Sequence, residues 1–409
     1  MQVDRARYTP SDIGPSPSDW GAPRLSEVST LITNGFVGTA SPFYSNETGV
    51  PYLYGTNVRA NKIDLNNLRY ITREFHQDQQ KTSLCAGDLL TVQSGHIGET
   101  AVVPKHLENA NCHALIVTRL KPKLVNSDFL CQYINSEIGI ARLRGLEVGS
   151  TIAHINTKDL KKFRIPLPPL PEQKKIAAIL STWDRAIEGT EKLLANSQQQ
   201  KKSLMQQLLT GKKRLPGFTG KWKVRKFQDL FQERIETERE DLPLLSVTAN
   251  DGIIFQEYSG RKDISKEDKS KYKRICVDDI GYNTMRMWQG RSCLSDKEGI
   301  VSPAYTIVFA KKNICTAFAS YLFKFSPVIH VFYRHSQGLV SDTWNLKFKH
   351  FKEISWEIPS LPEQKTIAAV LTTADEEITA LESDLSRLRR EKKALMQQLL
   401  TGKRRVKVD

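Results

Sequence analysis

Residues 283–291 bring amide, guanidinium and aromatic side chains together in one short stretch of the sequence. In the major groove of DNA, arginine can pair with guanine, and asparagine or glutamine can pair with adenine. The stretch therefore indicates base recognition, although a polar surface loop is the simpler interpretation of most of its residues taken singly. Its candidate DNA-binding residues are Asn283, Arg286, Trp288, Gln289 and Arg291.

The other candidate DNA-binding residues lie mostly in stretches that occupy equivalent places in the two halves of the chain. Residues 93–96 align with the start of the stretch above, and residues 150–156 align with 341–345. Lys273 belongs to a basic stretch over 261–274 with interleaved acidic residues, so a solvated helix face explains that stretch as well as DNA binding does. The remaining candidates are Thr56, Asn57, Arg59, Gln93, Ser94, His96, Thr151, His154, Asn156, Thr248, Asn250, Thr343 and Trp344.

Motifs of DNA-modifying enzymes are incomplete in this sequence. An adenine methylase needs Asn, Asp or Ser followed by Pro-Pro and an aromatic residue, whereas residues 302–305 (SPAY) lack the second proline and have no glycine-rich cofactor loop beside them. The Glu-x-Lys pairs at 172–174 and 363–365 fall in the first turn of a predicted helix and lack the upstream Pro-Asp of a nuclease. There is no Walker loop, and the eight histidines and six cysteines form no catalytic pair and no complete zinc site. The sequence predicts a binding protein without catalytic residues, a metal site or a cofactor of its own.

Charge and composition restrict the partner and the compartment. The 409 residues carry a net charge of +15 and a pI near 9.4, which indicates an anionic partner, either nucleic acid or a membrane surface. No apolar run is long enough to span a bilayer, so nucleic acid is favoured. The polar, proline-rich start is unlike a signal peptide, and the scattered cysteines are typical of reduced thiols. We therefore expect a cytoplasmic protein.

Two long repeated helices must position these residues. Residues 170–212 return as 361–403 at an offset of 191 residues, opening with LPEQ and closing with LMQQLLTGK. Apolar residues recur at heptad spacing, which is typical of a helix packed on another helix. In the second copy the apolar positions are Ala374, Ile378, Leu381, Leu385, Leu388, Leu395 and Leu399, with Lys392 at one polar position, and in the first copy Ser197 and Lys201 are the polar positions.

The two helices are each other's natural partners, although simple dimerisation of the chain through them is the alternative interpretation. The closing segments are the best-matched part of the repeat, and two similar docking surfaces would suit two copies of one partner. The candidate partner-binding residues there are Gln206, Gln207, Gln397 and Gln398.

The helices alternate with two mixed α/β (α+β) segments that are distant copies of one another. Trp20 and Trp222 open the two segments, and Asp88 corresponds to Asp279 at the same offset of 191. In the first segment we predict strands near 50–54, 88–92, 100–103 and 114–117, and a helix near 128–135. The predicted organisation is a mobile tail (1–19), domain 1 (20–165), a linker and long helix (166–214), domain 2 (215–357), and a second long helix with a basic tail (358–409).

At this point the chain resembles the specificity (S) subunit of Type I restriction–modification systems, from about residue 20 to residue 403. The resemblance rests on the twin LPEQ-to-LLTGK helices, on LPGFTGKW (215–222), on GVPYLYGTNV (49–58), on LPLLSVTAND (242–251) and on VSPAY (301–305). The order and spacing of these motifs are specific, although no single motif is decisive. The tail before Trp20 is not required by the family pattern.

The resemblance implies two target-recognition domains, each reading one half of a bipartite, asymmetric sequence in double-stranded DNA. It implies that the long helices pack as an antiparallel coiled coil with pseudo-two-fold symmetry and hold the domains apart. It also implies two methyltransferase subunits bound to this chain, with restriction and translocation subunits joining that core. S-adenosylmethionine is then expected in the methyltransferase, and ATP and Mg in the restriction partner.

Two alternatives from other classes stay open at this point. The chain could be a non-catalytic coiled-coil scaffold that binds the DNA backbone without reading sequence, or an unrecognised methylase that acts alone. A footprint or a methylome separates the first from a specificity subunit, and an assay of the purified chain for methyl transfer tests the second.

Overall fold

The structure is a computed structural model, and the chain divides into two compact units. The structure describes residues 8–9, 13–14, 16–146, 154–248, 252–260, 268–339 and 343–408. The first unit comprises residues 1–191 and 384–409, and the second comprises residues 192–383. Each unit therefore contains one α/β segment and a part of both long helices.

The first unit contains twelve strands and four short helices in the described residues. The strands are β1 (Tyr8–Thr9), β2 (Ser16–Pro17), β3 (Ser29–Asn34), β4 (Tyr44–Ser45), β5 (Val50–Leu53), β6 (Val58–Arg59), β7 (Lys62–Ile63), β8 (Arg69–Ile71), β9 (Leu89–Val92), β10 (Thr100–Val102), β11 (Asn111–Cys112) and β12 (Leu115–Leu120). The helices are α1 (Arg73–Asp78), α2 (Ser127–Asn135), α3 (Glu137–Arg144) and α4 (Thr157–Leu160), and the long helix α5 (Leu170–Leu208) begins in this unit. The strands and the helix predicted from the sequence of domain 1 are all present.

A sheet in the order β10-β9-β12-β3 separates two apolar cores of the first unit. Side chains alternate between the faces of a strand. Accordingly, Leu89 and Ile116 face a core shared with α2 and with the start of α5, whereas Leu90 and Leu115 face a second core. A second sheet, β11-β5-β8-β4, adjoins the second core. Both faces of the central sheet are therefore covered, and its end is left for polar groups.

The second unit contains ten strands and five helices, including the long helix α10, in the described residues. The strands are β13 (Lys223–Lys226), β14 (Phe231–Arg234), β15 (Leu245–Val247), β16 (Ile253–Phe255), β17 (Lys273–Ile275), β18 (Ile280–Asn283), β19 (Ser292–Leu294), β20 (Gly299–Val301), β21 (Tyr305–Ala310) and β22 (Ser355–Ile358). The helices are α6 (Phe227–Leu230), α7 (Thr316–Phe323), α8 (Ser326–His335), α9 (Phe348–Phe351) and α10 (Leu361–Leu399), and α10 ends in the first unit.

The central sheet of the second unit repeats that of the first, because its order β19-β18-β21-β14 matches β10-β9-β12-β3 strand for strand. A buried carboxylate before the second strand is repeated as well. Asp88 accepts a hydrogen bond from Arg119 at 2.8 Å, and Asp279 accepts one from Arg234 at 2.6 Å. The two mixed α/β segments are thus repeated domains, as the sequence predicts.

The apolar positions of the long helices are the buried or half-buried ones. On α10, Leu385 and Leu399 are buried and the residues between the predicted positions are mostly exposed. The polar positions of the pattern bind the other long helix within each unit. In the first unit Lys392 binds Asp184 and Arg389 binds Glu191, and in the second unit Ser197 donates to Glu377 and Lys201 binds Asp375.

A glycine follows three residues after the last residue of each long helix, within the Thr-Gly-Lys sequence. Gly211 has a φ of +67° and Gly402 a φ of +72°, conformations that favour glycine because it lacks a Cβ. Their N–H groups donate to Leu208 O and Leu399 O at 3.4 and 3.3 Å. The chain therefore leaves both helices by the same turn.

The glutamate of each LPEQ motif is buried and paired. Glu172 accepts hydrogen bonds from Arg405 at 2.7 and 2.8 Å and from the Trp20 indole at 3.3 Å. In the second unit, Glu363 accepts equivalent bonds from Arg214 at 2.5 and 2.7 Å. Each pair ties the residues that follow one long helix to the first turn of the other.

The adjacent glutamine of each LPEQ motif joins the long helix to its domain. Gln173 is fully buried; its amide donates to Leu124 O and Pro168 O and accepts from Asn126 N. Gln364 makes the corresponding bonds with Asn313 O, Pro359 O and Cys315 N. Because both N–H groups and the oxygen of this buried side-chain amide are hydrogen-bonded, it fixes the angle at which the helix leaves the domain.

The prediction of a mobile tail up to residue 19 is wrong for its last residues. Ser16 is buried, and Asp19 accepts two hydrogen bonds from Arg405 at 2.8 and 2.9 Å. The guanidinium of Arg405 lowers the pKa of Asp19. The reason that the sequence did not reveal this packing is distance along the chain, since the partner lies near the opposite end.

Candidate nucleic-acid interface

A polar cleft in the second unit brings together five of the candidates named from the sequence. The cleft has a volume of about 570 Å³ and opens where β18 ends. Its predicted residues are Thr248, Asn283, Arg286, Gln289 and Arg291. The sequence missed Lys324 and Tyr305, which also line the cleft, because they come from the end of α7 and the start of β21.

The stretch from 283 to 291 is held in shape by its own backbone and by one buried anchor. Asn283 Oδ1 accepts a hydrogen bond from Met285 N at 3.0 Å, and the Met287 side chain is fully buried. Gly290 has a φ of +75°, and a Cβ at this position would lie 2.6 Å from Ile329 Cδ1. This turn leaves Arg286 and Gln289 exposed on a fixed loop, as groups that read a ligand must be.

The second predicted stretch of this domain lies beside the first. The rings of Trp288 and Trp344 meet edge to face with centroids 5.3 Å apart, and Tyr333 packs against Trp344 at 4.9 Å. Leu346 N donates to Thr284 O at 2.8 Å, which joins the two backbones. Thr343 is exposed next to Trp344.

In the first unit the equivalent stretches also meet at one sheet end. Ile155 N donates to Gln93 O at 3.0 Å, and Ser94 pairs with His154 across an isolated bridge. Ser94 and His96 are exposed and Gln93 is half-buried. The carboxyl end of β9 thus presents uncharged polar groups where the second unit presents arginine and amide groups.

Four residues near this sheet end were missed from the sequence: Tyr44, Tyr54, Arg69 and His113. The Tyr54 and His113 rings stack with centroids 4.8 Å apart, and the Arg69 guanidinium lies 4.9 and 5.2 Å from the Tyr44 and Tyr54 ring centres. Burial, together with the charge of Arg69, lowers the pKa of His113, and burial raises the pKa of Tyr54. Only the aromatic spacing in GVPYLYG hinted at this group.

Several predicted DNA-binding residues instead hold the local structure. Asn57 is buried and its Oδ1 accepts from Tyr54 N at 2.9 Å, while Asn156 caps α4 by accepting from Asp159 N. Lys273 donates to Tyr305 O at 2.8 Å, and Arg59, though exposed, donates to Val58 O. For Asn57 the DNA-contact prediction is wrong, because every polar group of its side chain is used inside the fold.

The remaining candidates divide between exposed positions and undescribed ones. Thr56 is exposed after β5, and Thr248 donates to Gly252 O at 3.1 Å beside the cleft. Thr151 and Asn250 lie outside the described residues.

The candidate partner-binding glutamines lie near two grooves, one in each unit, at corresponding places of the repeat. In the second unit Gln206 and Gln207 line a groove of about 740 Å³ with Phe325 and Pro327, at the junction of α7 and α8. In the first unit Gln397 lines a groove of about 330 Å³ at the junction of α2 and α3 and donates to Glu137 at 3.1 Å. Gln398 is exposed beside it.

Within the described residues, no cluster of three or more His, Cys, Asp or Glu could hold a metal ion. Nor does any helix in those residues combine the length and the apolar content needed to cross a membrane. Two repeated domains that present different polar groups at the same sheet end define a class: a binding protein with two dissimilar recognition surfaces.

Comparisons with known proteins give the family. The model of the Type I restriction modification DNA specificity domain matches residues 17–196 and 220–387. The chain belongs to this family, whose members are the non-catalytic, DNA-recognising subunits of type I restriction–modification systems.

Individual relatives agree with this assignment. A Methanocaldococcus jannaschii protein assigned as the specificity subunit of the type I restriction enzyme MjaX is 25% identical over 98% of this chain and 97% of its own length. The EcoKI specificity subunit of Escherichia coli K12 is 26% identical over 48% of this chain and 43% of its own length.

Solved structures show the same fold. The S subunit of a Type I restriction–modification system from M. genitalium superposes with a TM-score of 0.61 at 16% identity, covering 93% of this chain and 96% of that one. A chain from a study of the assembly and conformational transition of a type I system gives a TM-score of 0.55 at 17% identity, covering 95% and 99%.

Proposed function

We propose that this chain sets the DNA sequence specificity of its Type I restriction–modification complex by reading a bipartite, asymmetric target, one half with residues 20–165 and the other with residues 215–357. The observation that carries the proposal is the shared sheet end with different side chains. Asn283, Arg286 and Gln289 occupy it in the second unit, where Gln93 and Ser94 occupy it in the first. A common frame with unlike surfaces suits two unlike half-sites.

The main alternative is a scaffold that binds the DNA backbone without reading its sequence. The net charge of +15 supports attraction to phosphates in both cases. The exposed amide of Gln289 favours sequence readout, because amides pair with base edges and add no charge that would attract phosphate.

The long helices are proposed to form an antiparallel coiled coil that spaces the two domains. The support comes from the ion pairs between the two helices in the first unit. Asp184 binds Lys392 and Glu191 binds Arg389, so residue numbers increase along α5 in the direction in which they decrease along α10. A helix of 39 residues measures roughly 58 Å at 1.5 Å per residue. The repeat gives this frame its proposed pseudo-two-fold symmetry.

Two methyltransferase subunits are the proposed partners, with restriction and translocation subunits joining through them. The grooves beside Gln206 and Gln397 lie at corresponding places of the repeat, which supports two docking sites for one kind of partner. Changing Gln206, Gln207, Gln397 and Gln398 together is expected to reduce methyltransferase stoichiometry in native mass spectrometry while leaving the melting temperature nearly unchanged. Unaltered stoichiometry would assign these residues to solvation of the helices.

The cofactors of the complex are proposed to reside in its other subunits, S-adenosylmethionine in the methyltransferase and ATP with Mg in the restriction subunits. We place the complex in the cytoplasm, where its DNA substrate is. The purified chain is accordingly expected to transfer no methyl groups.

The test of the proposed function is single-molecule methylation sequencing of a strain that carries this chain with its methyltransferase. Methylation confined to one motif with two different half-sites and a fixed gap is the expected result. Methylation without a motif would favour the backbone-binding scaffold.

A further inference from the structure

Arg69 of the first unit is an exposed cation that is held by aromatic side chains. It forms no ion pair in the described part of the chain, whereas Arg119 and Arg405 of the same unit are paired with Asp88 and Glu172. Its partners are aromatic. It donates to the Tyr44 hydroxyl, and its guanidinium lies over the rings of Tyr44 and Tyr54.

These contacts hold Arg69 in one place before any ligand arrives. The Tyr44 and Tyr54 hydroxyls are hydrogen-bonded to each other at 2.5 Å, so the two rings that carry the guanidinium are themselves fixed. Ordering a long side chain normally costs binding free energy, and a guanidinium already stacked and hydrogen-bonded avoids much of that cost. The donors that Tyr44 does not use remain for a ligand.

The backbone places this group near the sheet end that carries the other candidates of domain 1. Tyr54 stacks on His113, and His113 N donates to Leu53 O at 2.8 Å. Two residues later Leu115 pairs with Val92, the last residue of β9, and Gln93 and Ser94 follow directly. Tyr54, His113 and Gln93 therefore come from adjoining strand ends.

A structural role accounts for the neighbouring aromatic residues but not for Arg69. Tyr52, Ile71 and Phe75 are buried in a small apolar core, and Phe43 stacks on Phe75 at 4.1 Å. Arg69 lies on β8 next to Ile71 of that core, with its side chain exposed and without an ion pair in the described residues.

We propose that Arg69 is a specificity-determining residue of domain 1, which reads a guanine in the half-site of that domain while Tyr44 and Tyr54 act as its positioning residues. The inference rests on the proposed function, since it assumes that domain 1 contacts base edges. Arginine with its planar fork of donors matches the O6 and N7 acceptors of guanine, which lysine does not do in the same bidentate way.

The experiment uses the full chain assembled with its methyltransferase and a DNA duplex that carries the methylated motif found by sequencing. A panel of duplexes then replaces each base pair of the motif in turn, and binding is measured at one fixed salt concentration. For Arg69→Ala, discrimination at one G·C pair of the first half-site is expected to fall by about tenfold to a hundredfold. Discrimination in the second half-site should stay the same.

Three further variants separate recognition from charge and from folding. Arg73→Ala removes the same charge from an exposed residue of the same unit and is expected to leave discrimination unchanged. Arg69→Lys keeps the charge and is expected to lose discrimination at the same base pair, which keeps the test available should the alanine variant not fold. Tyr44→Phe removes only the hydroxyl that accepts from Arg69 and is expected to give a smaller loss at the same pair.

The outcomes distinguish this inference from the function on which it rests. An equal loss of affinity for every duplex would make Arg69 a phosphate contact, and normal discrimination by both Arg69 variants would remove it from the interface. Either result overturns the inference while the unaltered chain still selects its motif. Absence of any motif for the unaltered chain would instead overturn the proposed function.

Discussion

At the scale of single residues, Arg286 best illustrates how the second domain can read a base. Its loop is fixed by the buried Met287 and by Gly290, so the exposed guanidinium projects from a rigid base into the polar cleft. Because the backbone of the loop is already fixed, binding does not have to order it, which favours discrimination over mere attraction.

We therefore expect Arg286→Ala to relax discrimination at one base pair of the second half-site by about 1–3 kcal/mol. The measurement is binding of the assembled complex to a panel of single base-pair substitutions. Arg225→Ala, which removes an equal charge from an exposed strand of the same unit, is the control. A uniform loss for all sequences would identify Arg286 as a phosphate contact.

His113 makes the stability of the first unit depend on pH. Burial and the charge of Arg69 lower its pKa, so the folded state binds fewer protons than the unfolded chain below the unfolded value of about 6.5. The free energy of unfolding should consequently fall as the pH drops through 6.5. Burial also lowers the pKa of His76 in the same unit, which adds to the fall.

Denaturant melts at pH 7.5 and pH 5.5 check this expectation. His113→Asn removes the titrating group, so its stability should fall less between the two pH values than that of the unaltered chain. The exposed His106→Asn is the matched control and should keep the full fall. Identical pH dependence of all three proteins would contradict the assignment.

Residue by residue, the sequence predicted the candidate site where its members are close in the chain. The stretch from 283 to 291 forms one side of the cleft, whereas Lys324 joins it from the end of α7 and could not be placed without the fold. The prediction of a DNA contact at Asn57 is wrong for a related reason. A short polar side chain can hydrogen-bond to nearby backbone groups as readily as it can bind a ligand, and the sequence does not distinguish the two.

At the scale of elements, the residues that follow each long helix bind the first turn of the other long helix. Glu172 is almost fully buried and Arg405 supplies most of its hydrogen bonds, while Asp19 holds the other side of the same guanidinium. In the second unit Arg214 performs the same role for Glu363. The helices, their heptad spacing and their glycine ends were predictable from the repeat, but these long-range pairs were not.

Arg405→Ala is expected to lower the free energy of unfolding by about 1–3 kcal/mol, because it leaves a buried carboxylate with too few donors. Chemical denaturation of the full chain measures the change. Arg404→Ala is the control, because it removes the same charge from the exposed side chain of the neighbouring residue. Equal, small effects of the two substitutions would show that the pair is screened by solvent.

At the scale of the whole molecule, we propose that the two domains are independent readers on one repeated frame. The sheet order and the LPEQ joints are properties of the frame and are repeated in both units. The buried aspartate is repeated as well, although its arginine partner comes from β12 in the first unit and from β14 in the second. The residues at the sheet ends differ between the units. We therefore expect that recognition can vary in one domain without disturbing the other.

Exchange of one domain tests whether the two domains read their half-sites independently. Residues 222–357 are replaced by the matching domain of a relative, and the methylome of a strain carrying the hybrid and its methyltransferase is sequenced. We expect a motif in which one half-site is new while the other half-site is unchanged. A motif altered in both half-sites, or one retained in full despite the exchange, would contradict it.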